Sequence, residues 1–383
     1  MVRDWRLMAL GAITLAVTAG LYQLLGPGFI PRSPTLMGAG TDNEPGLNLR
    51  NVTLEQPDKN GVLLWRVKAR EVAYRSNQQV ALVTAPDSEL FQDGKVIYRV
   101  TADQGEIQNN GSVIFLRGHI VATGVKNGSV LRGQELEWHP KEDVLIVRRQ
   151  ITGTHPQMRA SAEEARVYNR QNRMELKGQV VASTVVKDLK TQPWLKLKAE
   201  KLLWQWDQQR IDTDQPIRVE QFKDQTLTDV VTGKRGGVDL GRQVVNLQEA
   251  VTMDILELPL QLISTALEWR VADQQVQVNQ ALTVIHPQKK LRITAQRGTM
   301  DLKSQAVMLS QQVVALGERN QSRLTTDRLT WKVKTQDLIA EGRVHYQQVN
   351  PLLNLTGSRG QGNLQNQTFT VDGGPVVTEI QPP

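Results

Sequence analysis

Apolar side chains along this chain recur with a period of two, in runs that start afresh about every 32 residues from Trp65 almost to the C-terminus. The runs begin at Trp65, Tyr98, Ser129, Met158, Leu195, Thr228, Leu260, Leu291, Ser322 and Leu352. Within a run, apolar or small residues stand at offsets 0, 2 and 4, and the parity then shifts to 7, 9 and often 11. Leu195, Leu197, Ala199, Leu202, Trp204 and Trp206 show this register most clearly. A period of two predicts strands with one buried face, because successive side chains alternate across the pleat. The odd step from 4 to 7 predicts a corner, since one residue has to be absorbed if the same face is to stay inward.

After a polar turn each copy offers a second apolar run, such as Val113 and Phe115, Val144 and Ile146, or Val307 and Leu309. A glycine break follows in Leu116-Arg-Gly-His-Ile120, Leu176-Lys-Gly-Gln-Val180 and Ala340-Glu-Gly-Arg-Val344, and reads as a second corner. Asn60-Gly61, Asp93-Gly94, Asn110-Gly111 and Asn127-Gly128 are tight-hairpin signals, because both central positions of a type I′ turn need positive φ. Each unit is therefore a bent β-hairpin. The fold class expected is all-β, an elongated β-jellyroll of about ten such hairpins preceded by one N-terminal transmembrane helix.

That helix is expected over residues 7–25, an uncharged stretch carried by Leu7, Leu10, Ile13, Leu15, Val17, Leu21, Leu24 and Leu25. Nineteen residues at 1.5 Å each reach about 28 Å, close to the hydrocarbon thickness of a bilayer. Arg3 and Arg6 precede it and favour a cytoplasmic N-terminus over residues 1–6. An uncleaved anchor and a cleaved signal peptide both place the repeats beyond the inner membrane. Residues 26–46, rich in glycine and proline, read as a flexible linker. The widest gap between copies, from Met158 to Leu195, divides the rest into a first module over 47–190 and a second over 191–377, with a disordered tail at 378–383.

Composition narrows the function. The chain of 383 residues has no cysteine, which excludes disulfides and thiolate metal sites, and its net charge of +7 is scattered rather than gathered into the basic stripe that nucleic acid requires. The histidines His119, His139, His155, His286 and His345 lie in separate copies, and no catalytic constellation, metal site or cofactor motif emerges. The offset-9 column is more distinctive. It holds Tyr74, Ile107, Trp138, Val167, Trp204, Trp269, Met300 and Trp331, with Gly237 and Gln361 in the two weakest copies. Together with Trp206, its larger members Tyr74, Ile107, Trp138, Trp204, Trp269, Met300 and Trp331 are candidates to line an apolar groove for acyl chains; an ordinary packed core is the competing reading.

Units reading Leu/Trp-x-Val/Leu-x-Ala-x-x-Leu/Val-x-Tyr/Trp and Leu-x-Gly-x-Val behind a single-pass anchor resemble the LptC/OstA-like family of lipopolysaccharide export; Trp65-Arg-Val-Lys-Ala-Arg-Glu-Val-Ala-Tyr74 is similar to the first periplasmic strands of its members. The resemblance implies a non-enzymatic, inner-membrane-anchored periplasmic β-jellyroll that shields lipid acyl chains. Its partners would be lipopolysaccharide or a related glycolipid, the permease subunits of an inner-membrane ABC transporter at the N-terminal edge, and a periplasmic bridge protein or outer-membrane translocon at the C-terminal edge. This chain is about twice the usual length, which points to a duplicated form. A lipid-free envelope scaffold or adhesin, and a polysaccharide-acting β-solenoid enzyme, are the alternatives.

Overall fold

The computed structural model describes residues 35–36, 46–75, 80–126, 128–319, 321–349, 352–372 and 377–379. The segment expected to form the membrane anchor lies outside these residues; among them, no helix is long and apolar enough to cross a membrane. The described chain is antiparallel β throughout, with a single short 3₁₀ turn at Pro287–Lys289. This architecture is consistent with a β-jellyroll. The chain forms two compact units, Met1–Gly178 and Gln179–Pro383.

Corners fall where the parity shift predicts them. In the second unit the strand Trp194–Gln205 pairs with Ile217–Lys223 through its first half and with Arg210–Thr213 through its last residues. One strand thus serves two faces. In the first unit, Leu63–Arg75 divides in the same way between Asp87–Gln92 and Val80–Thr84.

In six copies the second corner is a pair of residues in the left-handed region. Gly118-His119, Gly178-Gln179 and Gly342-Arg343 are three of these pairs, with the glycines at φ of 77–78°. Arg149-Gln150, Glu249-Ala250 and Gln311-Gln312 form the same corner without glycine, at φ between 51° and 66°. The sequence pattern singled out only the glycine-containing corners. The ladder register shifts at these positions, between Arg148 and Ile151, Gln248 and Val251, and Ser310 and Val313. Two extra residues are looped out, so parity survives the bend.

Because parity survives, directly opposed residues form unbroken cross-strand rows. In the second unit one row runs Leu197, Val219, Val231, Met253, Leu262, Val284, Ile293, Ala315, Leu324, Tyr346 and Leu355. Every member is buried. In the first unit the equivalent row joins Leu54, Val67, Ser88, Val100, Ala122, Leu131, Gly153 and Ala160. These rows collect the offset-2 positions and form the spine of one face.

Two weak copies are corrected by one residue. Phe222 pairs with Leu227 and Gln221 with Asp229, leaving Thr228 as an inserted bulge residue. The true start of that copy is Asp229 rather than Thr228, and its row residue is Val231. Similarly, Leu353 rather than Leu352 opens the last copy, with Leu355 on the row. A carboxylate at an inward position, and a glycine- and asparagine-rich strand, carry too little apolar signal to fix the register by pattern.

On the outer face, carboxylates and cations alternate across strands. Arg66 bridges Glu55 at 2.7 Å and Glu89 at 2.9 Å, and Arg148 bridges Glu137 at 2.8 Å and Glu164 at 3.1 Å. Burial alone would raise the Glu137 carboxyl, but hydrogen bonds from Arg148 and His139 outweigh it and hold it below the usual carboxylate range. Such half-exposed pairs contribute little individually; they keep that face wet and fix which side of the strand is core.

The corners can be tested separately. Gly342 sits at φ +77°, and a Cβ there would fall 2.6 Å from Asp327 Oδ2. Gly342→Val is expected to lower stability by about 1–2 kcal/mol through backbone strain. Gln311→Gly, which relieves the same conformation, is expected not to lower it. Denaturant midpoints of the two variants check both.

Candidate functional site

The offset-9 candidates occupy a second row, on the other side of the corners. In the first unit it runs Leu47, Tyr74, Ala81, Ile107, Ile114, Trp138, Leu145 and Val167. In the second unit it runs Trp204, Ile211, Val238, Val245, Trp269, Val276, Met300, Val307, Trp331, Leu338, Gly362 and Phe369. Each candidate except Trp206 is a member of its unit's row. Trp206 lies two residues past Trp204, is half-buried, and meets it edge-on at 5.8 Å. The one-residue register correction applies here too: Val238 and Gly362 take the places expected of Gly237 and Gln361.

In the second unit the tryptophans fall at equal intervals. Four strand-to-strand steps separate Trp204 from Trp269, and four more separate Trp269 from Trp331. At the usual strand separation, each interval is about 19 Å.

The rows face one another within the second unit. His286, two residues beyond Val284 of the offset-2 row, places its ring 5.8 Å from that of Trp331. Tyr346 of the first face stacks on Phe369 of the second at 4.6 Å. Little space remains between them. A cavity of ≈ 10 Å³ separates Leu262 and Val284 from Met300 and Val307. A larger one of ≈ 100 Å³ lies among Leu291, Leu324, Leu338 and Phe369, with Lys289 and Arg319 at its rim. Between the His286–Trp331 and Tyr346–Phe369 contacts and these cavities, the protein's own side chains bridge the two faces of the second unit.

Its polar content is sparse, and each instance is informative. Trp138, Trp269 and Trp331 are 1%, 0% and 0% exposed, and their indole N–H groups find no acceptor among the described residues. Two tryptophans off the row are satisfied: Trp65 donates to the Gly111 carbonyl at 3.0 Å and Trp194 to that of Asp224 at 2.8 Å. A buried donor without a partner costs about 1–3 kcal/mol. The Tyr74 hydroxyl is likewise buried without a partner, and burial pushes its pKa up.

A second polar island lies at the start of the corrected sixth copy, where Gln221 and Asp229 are paired across the ladder at 2% and 5% exposure. Ile255 opposes Asp229, and Leu195 opposes Gln221. Burial raises the Asp229 carboxyl, against a hydrogen bond with Thr228 and the attraction of Lys223. The hydrophobic periodicity passed over Asp229 because it reads a carboxylate as an outward residue.

Antiparallel faces joined at corners and lined by buried, mostly apolar rows define an all-β repeat protein. The family model for lipopolysaccharide-assembly, LptC-related proteins matches this chain three times in succession, over residues 12–145, 143–256 and 257–374. The chain belongs to that family. Among solved structures, it is similar to the crystal structure of LptH, the LptA homologous periplasmic component of the conserved lipopolysaccharide transport device from Pseudomonas aeruginosa, at 14% identity over 33% of this chain and 85% of that one, with a TM-score of 0.28. No curated protein matches.

Asp229 supplies a pH test. A carboxyl whose folded pKa is raised adds stability only while it is protonated; that contribution is present below the unfolded value of about 3.9 and is lost as pH rises through the folded pKa. Asp229→Asn is therefore expected to melt above the wild type at pH 7, with the difference shrinking towards zero near pH 4. Thermal melts across that range check it.

Proposed function

We propose that this chain is a non-enzymatic component of lipopolysaccharide transport that takes lipid from an inner-membrane ABC transporter and passes it along its apolar interior towards the outer membrane. Family membership over three successive matches carries the reading, and the continuous inward rows support it. No step of chemistry is needed. Energy comes from the partner ATPase, and the protein supplies a surface on which acyl chains stay out of water, at about 0.8 kcal/mol per CH₂ shielded. Where side chains of the two faces meet, as His286 meets Trp331, the faces have to part along a line of corners for a chain to enter.

Residues 7–25 anchor the chain in the inner membrane with the N-terminus cytoplasmic, so that the repeats occupy the periplasm. The repeats divide into modules over 47–190 and 191–377, a reading supported by the two compact units. The last strands, Thr368–Asp372 and Val377–Glu379, each pair with Leu353–Asn363 and turn their other side to a periplasmic bridge protein or outer-membrane translocon, which adds a strand there.

A photo-crosslinking residue at Trp204 or Trp269 is expected to capture lipopolysaccharide in an ATP-dependent manner, and one at the exposed Arg270 is not. Adducts only at Arg270 would reject the interior path. Deleting residues 352–383 is expected to abolish co-purification of the bridge protein while leaving the crosslink at Trp204 in place.

A further inference from the structure

The tryptophan row carries a distinction that an acyl path alone does not require. An apolar interior built only to shelter alkyl chains needs no donors, and Ile, Leu or Phe would fill the same positions without the cost of burying an N–H. Yet Trp138 in the first unit, and Trp269 and Trp331 in the second, stand fully buried on their rows with unpartnered indole N–H groups. The tryptophans that lie off the rows at Trp65 and Trp194 each have a backbone acceptor. The same row positions in other copies are Ile107, Val167 and Met300, so the fold does not require an indole there. Among the described residues the unpartnered fully buried indoles stand on these rows, and the Ser88 hydroxyl on the facing row of the first unit is likewise buried without a partner.

Their surroundings leave few acceptors to serve them. Trp269 is flanked across the ladder by Val245 and Val276, and Trp331 by Val307 and Leu338. Trp138 lies between Ile114 and Leu145. His286, whose ring lies against Trp331, accepts from the Lys289 backbone N–H at 3.4 Å through its Nδ1.

We propose that the indole N–H groups of Trp269 and Trp331, and of Trp138 in the first unit, donate hydrogen bonds to oxygen atoms carried on the acyl chains of the transported lipid, such as ester, amide or hydroxyl oxygens. The interior thereby prefers oxygen-bearing acyl chains over plain alkyl chains of the same length. In the second unit the repeat of about 19 Å along the row sets a regular series of such stations, so a lipid moving along the face exchanges one donor for the next. This inference rests on the reading that acyl chains enter the interior, and its test separates the two.

The experiment uses the full chain in nanodiscs and two probes, methyl 3-hydroxydecanoate and an alkane of matched chain length, each measured by displacement of a fluorescent naphthylamine. The wild type is expected to favour the hydroxy ester by about tenfold or more. Trp138→Phe, Trp269→Phe and Trp331→Phe together are expected to remove that preference, because phenylalanine keeps an aromatic face but carries no donor, and the ratio of the two affinities separates this from a general loss of packing that lowers both alike. As a check independent of the variants, the indole ¹⁵N–¹H resonances of Trp269 and Trp331 in the wild type should move downfield with the hydroxy ester and stay in place with the alkane. A preference that survives the three substitutions, or resonances that respond equally to both probes, overturns the proposal while the acyl path stands. Failure of either probe to bind the wild type overturns the path and the proposal together.

Discussion

The structure depends on one constraint: a strand has to turn a corner without exchanging its inner and outer faces. Side chains alternate strictly along a strand, so a bend that adds an odd residue sends every later apolar side chain into water unless the sequence shifts its parity to match. Here the return strands of six copies bend by looping out paired residues in the left-handed conformation, with glycine in Gly118, Gly178 and Gly342 and without it at Arg149, Glu249 and Gln311, while leading strands absorb a single residue such as Glu163 or Asp327 and shift parity. The backbone strain of the non-glycine corners is tolerated because the rows on both sides overdetermine the register.

Everything else follows from register maintained across the corners. The rows through Val231, Met253 and Leu262 on one face, and through Val245, Trp269 and Met300 on the other, are each built from single positions repeated copy after copy. Stability in such an array is a sum of neighbour-to-neighbour terms rather than the product of one round core. The array can therefore be lengthened without limit from the core, and the family model fits this chain three times end to end. The same continuity that stabilises the fold makes its inner surface uniform, which is what a lipid path needs and an active site does not.

Against that uniform background the polar exceptions stand out. Asp229 and Gln221 interrupt one face, and the indole groups of Trp138, Trp269 and Trp331 interrupt the other. Each costs folding energy where an aliphatic side chain would not. A residue that weakens the fold in a row of otherwise interchangeable aliphatics is the natural place to look for function.

Alternation alone determined much of this protein: antiparallel strands, the copies and their bent hairpins, the glycine corners, and the column holding Trp138, Trp204, Trp269 and Trp331. These are local properties, written in residues two apart. Tertiary structure decided what lies between strands. It moved the starts of two copies to Asp229 and Leu353, because a bulge at Thr228 and a polar last strand give no periodic signal and only pairing fixes their register. It showed that corners such as Gln311-Gln312 need no glycine, since neighbouring strands hold an unfavourable backbone in place. It also filled the interior, placing His286 against Trp331 and Tyr346 against Phe369. The distance between facing side chains is set by how two surfaces pack, and no spacing along one strand encodes it.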